Sequence, residues 1–393
     1  MWRFLMTVLS IVVVTIGSLN QHAIGAEPTV LEPAERAFFE RITSKREPDL
    51  SGESDRLPEY LQVFERELIN DTRLFPCPVE AVPGENGAVV LKGTIGFSEN
   101  RLALQKFLMS LGFDQIENRV EVLPARDLGS KRFGFIRTTH SFSFDKAAGR
   151  KEVLTDCLLG TPVFLLAEAG DGFFLCHGLE GYVGYVSGQD IHRVDSSQFA
   201  AYQSGGQARL LRDHAIDGLM LPMGARLKLD EREKDCVIVE LPDGDQATLP
   251  VDCCGIDDGG PDPQIERVIA AAEKLLGTPY VWGGNTSEGI DCSGLVQTSF
   301  ATEGITLARD SNQQVLVGRL VATRWYREGL RRGDTLYFLG KHGKIRHTGI
   351  YLGNRRYIEA VRPVVRYSSF DPDSAEYSRR GDETFCFGKR LLD

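Results

Sequence analysis

The chain has 393 residues, of which 42% are hydrophobic and 25% are charged, and its formal net charge is −10. This length predicts two to four domains, and the composition is typical of a folded protein. The negative charge, with no long run of Lys or Arg, argues against general nucleic-acid binding.

The N-terminus has the layout of a secretory signal peptide. Arg3 supplies a positive charge, residues 4–16 form a short apolar run, and small and polar residues lead to Ala26. A transmembrane anchor is the alternative, but the run is shorter than the ~20 residues that a spanning helix needs. We predict a signal peptide at residues 1–26. The mature protein is then periplasmic or extracellular and has no transmembrane span.

The eight cysteines fit an exported protein, in which disulfide bonds are permitted. Cys157 with Cys176, and Cys236 with Cys253, each fall within a predicted pair of β segments, so each pair could form a cross-strand bridge. Buried free thiols are the alternative. The sequence does not decide the pairing.

The N-terminal third predicts a charged leader followed by a small α/β domain. Residues 27–56 form the leader, with one helical turn or more, and residues 57–130 form the domain. The predicted elements are a helix at 58–70, a strand at 88–93, a helix at 99–111 and a strand at 120–123. This order, with "VVLKGTIGF" before the second helix, resembles the BON domain, a module linked to envelope or lipid surfaces. A generic α/β prodomain is the alternative.

Residues 131–256 alternate short β-rich runs with turns. The predicted strands are residues 162–166, 172–175, 181–186, 225–229, 237–241 and 247–250, with a hairpin turn at residues 242–245. The segment "EGYVGYVS" resembles the closing strand of a bacterial SH3-like barrel. We predict two such barrels, at residues 131–200 and 201–256, and one larger β domain is the alternative.

A linker at residues 257–263 precedes a helix that ends at residue 276, with Asp262 as its N-cap and Pro263 as its first residue. A glycine-rich loop then leads to a second helix, which Cys292 opens. A thiol at a helix N-terminus faces unpaired N–H groups and the positive end of the helix dipole, and both favour the nucleophilic thiolate. The N–H of Cys292 could also point at a developing oxyanion. A buried structural cysteine is the alternative, and the polar approach argues against it.

A general base for Cys292 must come from elsewhere in the chain. His347 begins a predicted strand, and Glu359 lies on the next strand, at a register that could place its carboxylate behind the imidazole ring. The alternatives are a structural histidine and a solvated surface carboxylate. His342 is the rival base, and we expect it to be solvent-exposed.

Six motifs after residue 263 occur together in one order. They are "TPYVWGG", "DCSGLV", "RDSNQQ", "RRGDTLYF", "HTGIYLG" and "VRYSSFDP". In this the segment at residues 257–393 resembles the NlpC-type papain-like cell-wall cysteine peptidases. The resemblance implies an α+β fold and hydrolysis of the amide between γ-D-glutamate and a diamino acid in peptidoglycan stem peptides. It makes Cys292 the nucleophile and His347 the base. The third position of the family is commonly His and sometimes Asn or Gln, so Glu359 is a departure.

Paired barrels before such a domain resemble the γ-D-glutamyl-L-diamino-acid endopeptidases that act on stem peptides with a free N-terminal L-Ala. That resemblance implies a set of substrate-binding residues: Tyr182, Tyr280, Trp282, Asp291, Ser293 and Ser311. Asp291 would pair with the substrate ammonium, and Tyr280 would help the oxyanion. An N-cap role is the alternative for Asp291, and packing is the alternative for Tyr182 and Trp282. Thr161 stands where the branch often has Glu.

The combined prediction is an α+β protein. A small α/β N-terminal domain and two small SH3-like β-barrels precede a papain-like catalytic domain. Its substrates would be stem peptides or muropeptides, with no cofactor, no metal and a monomeric state. Two alternatives stay open: an inactive scaffold that binds the envelope or peptidoglycan, and an amidase of the same fold that acts on intact wall.

Overall fold

The computed structural model of this chain describes residues 30–46, 52–256 and 264–392. They fall in two compact units. The first unit takes the described residues up to Leu68, with Val79–Lys92 and Ser98–Val120, and the second takes Ile69–Pro78, Gly93–Phe97 and the described residues from Glu121 onward. The predicted signal peptide, and the predicted linker with Asp262 and Pro263, lie outside the described residues. The domain boundaries given above stay predictions.

The first unit contains three of the four predicted α/β elements and three more, because the strand predicted at 120–123 is found at Glu121–Val122 in the second unit. Its elements are α1 (Pro33–Arg46), α2 (Leu57–Phe64), β1 (Val79–Pro83), β2 (Val89–Ile95), α3 (Ser98–Ser110) and β3 (Ile116–Asn118). A π-helical turn at Glu65–Ile69 extends α2 over the rest of its predicted length. Strands β1 and β3 were not predicted, and the α1 segment was predicted only as a leader. Helix α1 has 14 residues where the sequence predicted one turn or more.

The core of the first unit explains why α1 is ordered. Phe39 of α1 and Phe64 of α2 both contact Phe107 of α3, with ring centroids 5.9 and 5.7 Å apart. All three rings are buried. Aromatic burial of this size supports a helix whose own sequence lacks a regular apolar stripe.

The second unit contains a short parallel strand pair and a seven-stranded antiparallel sheet. Strand β4 (Glu121–Val122) runs parallel to the end of β2, with Thr94 opposite Glu121. The sheet order is β11-β5-β8-β9-β10-β6-β7. Its strands are β5 (Phe133–Ile136), β6 (His140–Phe144), β7 (Val153–Leu158), β8 (Pro162–Glu168), β9 (Phe173–Gly178), β10 (Val183–Ser187) and β11 (Ile191–Val194). The three strands predicted here are present as β8, β9 and β10.

A helix that the sequence analysis did not predict follows this sheet. Helix α4 (Ser196–Ser204) starts at a capping box in which the Asp195 carboxylate accepts hydrogen bonds from two backbone N–H groups. Its Phe199 stacks on Phe135 of β5, with ring centroids 5.2 Å apart. The helix has little apolar periodicity, so the cap and the aromatic contacts hold it in place.

The next sheet has five antiparallel strands in the order β17-β16-β15-β12-β18, and a separate two-stranded ribbon pairs β13 with β14. Its strands are β12 (Gln207–Leu210), β13 (His214–Ile216), β14 (Leu219–Leu221), β15 (Arg226–Arg232), β16 (Cys236–Glu240), β17 (Gln246–Pro250) and β18 (Cys254–Ile256). The predicted hairpin is confirmed, because Glu240 pairs with Gln246 across the turn. Closure of either sheet into an SH3-like barrel stays a prediction.

The C-terminal part has helices packed on a six-stranded antiparallel sheet of order β21-β26-β22-β23-β24-β25. The elements are α5 (Ile265–Lys274), β19 (Asn285–Thr286), β20 (Gly289–Ile290), α6 (Cys292–Ala301), α7 (Ser311–Gln314), β21 (Arg319–Thr323), β22 (Thr335–Leu339), β23 (Ile345–Gly353), β24 (Arg356–Val361), β25 (Val364–Ser369), α8 (Arg379–Thr384) and β26 (Phe385–Arg390). Apolar side chains of α5 and α6 share one core with those of β23, β24 and β25. This packing fixes the start of α6 against the sheet. The mixture of helices and antiparallel sheets confirms the predicted α+β class.

All eight cysteines are free thiols, and seven of them are buried. The cross-strand bridges considered for Cys157 with Cys176 and for Cys236 with Cys253 are therefore absent. Burial raises the pKa of both Cys157 and Cys176, since a thiolate is poorly solvated there. Within the described residues, no helix combines the length and the apolar character that crossing a bilayer requires.

Candidate active site

Cys292 lies where the sequence placed it, at the first position of α6. It lines a cavity of about 550 Å³ and is 6% exposed. Asp291 is the N-cap of this helix, and its carboxylate accepts a hydrogen bond from the N–H of Gly294 at 2.7 Å. The thiol is thus reachable from the cavity, and the positive end of the helix dipole acts on it.

The Asp291 carboxylate is hydrogen-bonded and ion-paired within the protein. Its two carboxylate oxygens accept hydrogen bonds from the N–H of Gly283, the hydroxyl of Ser293 and both terminal nitrogens of Arg309, at 2.7 to 3.1 Å. Burial alone would raise the pKa of Asp291, but the Arg309 charge and these hydrogen bonds outweigh it and hold the pKa below its ordinary value. The N-cap interpretation is confirmed, and pairing with a substrate ammonium stays a prediction.

The loop before Cys292 needs its glycines for steric reasons. Gly283 has φ +80°, and a Cβ there would lie 2.3 Å from Cγ1 of Val153 on β7. On α6, a Cβ at Gly294 would lie 2.3 Å from the carbonyl oxygen of Gly284. The backbone therefore approaches α6 more closely than any side chain would permit.

His347 and Glu359 meet as the strand register predicted. Nε2 of His347 on β23 lies 2.5 Å from Oε2 of Glu359 on β24, and the other carboxylate oxygen accepts a hydrogen bond from the Ser368 hydroxyl at 2.6 Å. His347 also interacts with Cys292, and because Nε2 faces Glu359, Nδ1 is the ring nitrogen left for the thiol. Glu359 is buried, so its interpretation as a solvated surface charge is wrong.

The electrostatics favour a protonated imidazole beside Cys292. Burial by itself lowers the pKa of His347, but hydrogen bonds to Cys292 and Glu359, and their charges, outweigh it and raise the pKa to about 10. Burial raises the pKa of Glu359, and the hydrogen bond and charge of His347 more than reverse this, so that the net direction is downward. The arrangement can hold an imidazolium between a thiolate and a carboxylate, which is the charge state that a cysteine nucleophile requires.

Tyr280 and Trp282 differ in their exposure to the cavity. Trp282 is 57% exposed, lines the cavity and donates its indole N–H to the carbonyl oxygen of Val153 at 3.2 Å. The interpretation of Trp282 as a residue packed inside the core is therefore wrong. Tyr280 is half-buried against the core of this part of the chain. Burial first, and then the nearby charges of Cys292 and Asp291, raise the pKa of its hydroxyl.

Ser293 and Ser311 both line the cavity. The Ser293 hydroxyl also accepts a hydrogen bond from Arg309 at 2.9 Å, while Ser311 begins α7. His342 lies in an exposed turn at Lys341–Gly343 with φ 65° and does not line the cavity. The expectation that His342 is exposed is thus confirmed.

Tyr182 lies near the same cavity, but another side chain covers it. The ring is buried, and the guanidinium of Arg73 lies 4.6 Å from its centroid. Burial is the main cause that raises the pKa of the Tyr182 hydroxyl, and the Asp310 carboxylate adds to it. Thr161, in contrast, lines a separate cavity of about 110 Å³.

Several residues of the site escaped the sequence analysis. Arg309 is the buried partner of Asp291, and Arg73, Asp310, Lys344 and Arg346 line the cavity with Cys292. Arg309 and Asp310 stand inside the motif "RDSNQQ", which therefore carried a usable signal. Arg73 stands in no motif, and its role depends on contacts across the fold.

Comparison with known proteins shows which family and which relatives the catalytic part of the chain is similar to. Residues 277–379 match the model of the NlpC/P60 family. A γ-D-glutamyl-L-lysine dipeptidyl-peptidase of Bacillus cereus is 28% identical over 234 residues, which cover 53% of this chain and 67% of that protein. A γ-DL-glutamyl hydrolase of Bacillus subtilis is 47% identical over 110 residues, which cover 26% of each chain. The match therefore spans about two thirds of one relative's length and about a quarter of the other's.

This chain is also similar in fold to a solved structure. The crystal structure of an NlpC/P60 family protein from Bacillus cereus has a TM-score of 0.57 to this chain at 20% identity, covering 66% of this chain and 100% of that one. Because the match extends well beyond residues 277–379, the two proteins also share architecture outside the matched family segment.

Proposed function

We propose that this chain, whose residues 277–379 match the NlpC/P60 family, hydrolyses the amide bond between γ-D-glutamate and the diamino acid in peptidoglycan stem peptides. One observation carries the proposal: His347 lies between the Cys292 thiol and the buried Glu359 carboxylate. The name of the Bacillus cereus relative, a γ-D-glutamyl-L-lysine dipeptidyl-peptidase, supports this bond as the target.

In the proposed mechanism, the Cys292 thiolate attacks the carbonyl carbon of the γ-glutamyl amide. The oxyanion that forms accepts a hydrogen bond from the N–H of Cys292, with the Tyr280 hydroxyl as a second donor. The imidazolium of His347 then protonates the leaving amine, and a thioester on Cys292 remains. His347 next takes a proton from water as the water oxygen attacks the thioester. The tetrahedral intermediate then collapses, releases the γ-glutamyl carboxylic acid and restores the Cys292 thiolate beside the His347 imidazolium. Glu359 orients the ring and stabilises the imidazolium.

We propose in addition that the substrate carries a free N-terminal L-Ala. The two β sheets before the catalytic part would be SH3-like barrels, and the first would close one end of the cleft. Ser293, Ser311 and Trp282 line the cavity that holds Cys292, which supports their assignment as substrate contacts. Export through a signal peptide and a monomeric state are part of the same proposal.

A cleavage assay tests the function. Purified mature protein is given L-Ala-γ-D-Glu-diaminopimelate and the same peptide with a blocked N-terminus, and products are separated by chromatography. We expect cleavage of the free peptide, and complete loss of cleavage in Cys292→Ala. An uncut free peptide, or unchanged cleavage by Cys292→Ala, would instead favour an inactive scaffold. Equal cleavage of both peptides would contradict only the requirement for a free amine.

A further inference from the structure

Two basic residues lie on the wall of the Cys292 cavity, directly before His347 in the chain. Lys344 and Arg346 stand three and one positions before His347, and both line the cavity. We call them the basic pair. Both residues are exposed, and in the part of the chain that the structure describes neither forms an ion pair. The basic pair therefore presents positive charge to the cavity that no carboxylate of the protein neutralises.

The other charged side chains of this wall have partners within the protein. Arg73 and Asp310 form an ion pair at 2.7 Å, and Asp291 forms one with the buried Arg309 at 2.7 Å. Each carboxylate that lines the cavity thus already has a cation beside it. The basic pair has no such anion, and unpaired cations in a cleft attract an anionic group of a ligand.

A β-bulge explains how the basic pair comes to line the cavity. Two consecutive residues of β22 lie opposite His347 and Ile345, which leaves Arg346 as the extra residue of β23. A bulge interrupts the alternation of side chains along a strand and changes the direction of the extra one. Gly340 leaves room for the stem of this side chain, because a Cβ there would lie 2.6 Å from Cγ of Arg346. The consecutive residues Ile345 and Arg346 therefore both line one cavity.

The position of His347 indicates which part of a substrate the basic pair meets. In the proposed mechanism His347 protonates the leaving amine, and this amine belongs to the diamino acid. A general acid must lie within hydrogen-bond reach of the atom that it protonates. The diamino acid must then lie on the His347 side of Cys292, where the basic pair is also found.

We propose that Lys344 and Arg346 form an anion subsite for the side-chain carboxylate of the diamino acid, and that this subsite selects diaminopimelate over lysine. The inference rests on the proposed function, because the anion belongs to the leaving group of that reaction. The side chain of diaminopimelate ends in a carboxylate and an ammonium, whereas that of lysine ends in an ammonium alone. The basic pair attracts the carboxylate and repels a lone ammonium, so both effects favour the same substrate.

Binding to an inactive enzyme tests the subsite without turnover. In the full-chain Cys292→Ala protein, titration calorimetry measures the affinity for L-Ala-γ-D-Glu-meso-diaminopimelate and for the same peptide ending in L-Lys. Two exposed charge contacts predict about a tenfold preference for the diaminopimelate peptide. Adding Lys344→Gln and Arg346→Gln should remove this preference, because glutamine keeps a polar side chain without the charge. The ratio of the two affinities is the readout, so a uniform change in binding does not affect it.

Two controls make the result specific. Lys341→Gln removes an exposed lysine from the preceding turn, outside the cavity lining, and should keep the full preference. A diaminopimelate peptide whose side-chain carboxylate is converted to an amide should bind as weakly as the lysine peptide.

Equal affinity for the acid and lysine peptides overturns the inference, as does a preference that survives the loss of both cations. If the active enzyme cuts neither peptide while the charge-dependent preference is present, the proposed hydrolysis is wrong and the anion subsite stands.

Discussion

Glu359 is the residue at which this site departs from the NlpC-type peptidases that it resembles, and Glu359→Gln isolates its charge. Glutamine has nearly the same shape and can still accept from Ser368, so the packing around β24 and β25 should persist. What disappears is the negative charge 2.5 Å from Nε2 of His347. We expect the pKa of His347 to fall.

The structure sets the size of this effect. An opposite charge within contact distance typically shifts a pKa by about 1–3 units, and one unit corresponds to about 1.4 kcal/mol. The pKa of His347 is about 10 with Glu359 in place. The active imidazolium is lost as the pH rises through this pKa, so the alkaline limb of kcat/KM should move down by about 1–3 pH units in Glu359→Gln. The stabilisation from this raised pKa is full below pH ~6.5 and is lost as the pH rises toward about 10.

Initial rates between pH 5 and 11 measure the effect, with the stem peptide well below KM so that kcat/KM is read directly. Glu376→Gln is the matched control, because Glu376 is a carboxylate on the same part of the chain that pairs with Arg356 outside the cavity. Its pH profile should match that of the wild type. If the alkaline limb of Glu359→Gln coincides with that of the wild type, then Glu359 does not act on His347 through its charge, and the reasoning is refuted.

Two other predictions follow from buried groups. Arg309→Met leaves the Asp291 charge buried without its partner, and should lower the free energy of unfolding by about 3–5 kcal/mol in urea denaturation, whereas the exposed Arg379→Ala should change it by less than ~1 kcal/mol. A loss below about 1 kcal/mol for Arg309→Met would contradict the assigned role. In the Cys292→Ala variant, a thiol reagent should modify Cys236 first and reach Cys157 and Cys176 only on unfolding, because these two are buried and their pKa values are raised. Rapid modification of Cys157, mapped by mass spectrometry, would show that the sheet opens in the native state.

Local features of this protein were readable from sequence because neighbouring residues determine them. The glycine loop, the helix start at Cys292 and the hairpin between β16 and β17 depend on turn chemistry and apolar periodicity within about a dozen residues. The pairing of His347 with Glu359 was also predictable, because consecutive antiparallel strands have a narrow choice of register. Family motifs then supplied the link between Cys292 and His347.

Helix α4 and strands β1 and β3 were not predicted, because local patterns do not determine them. Each is short, and long-range packing stabilises each of them more than any periodic pattern does. The free state of the cysteines likewise depended on distances and directions between strands, which residue spacing leaves open.

The charge balance of the site was decided by the tertiary structure. Sequence assigned Asp291 either to a helix cap or to a substrate ammonium, and the fold brought Arg309, 18 positions away, to neutralise it. Arg73 and Asp310 are 237 positions apart, and only the folded chain brings them together beside Tyr182. Sequence thus identified Cys292 as the candidate nucleophile from a local pattern, and His347 as the candidate base from the motifs of the family that the chain resembles. The charges that line the cavity belong to side chains that meet only after the whole second unit has packed. Electrostatic interaction depends on the distance between charges in space and not on their separation along the chain, so the sequence alone leaves it undetermined.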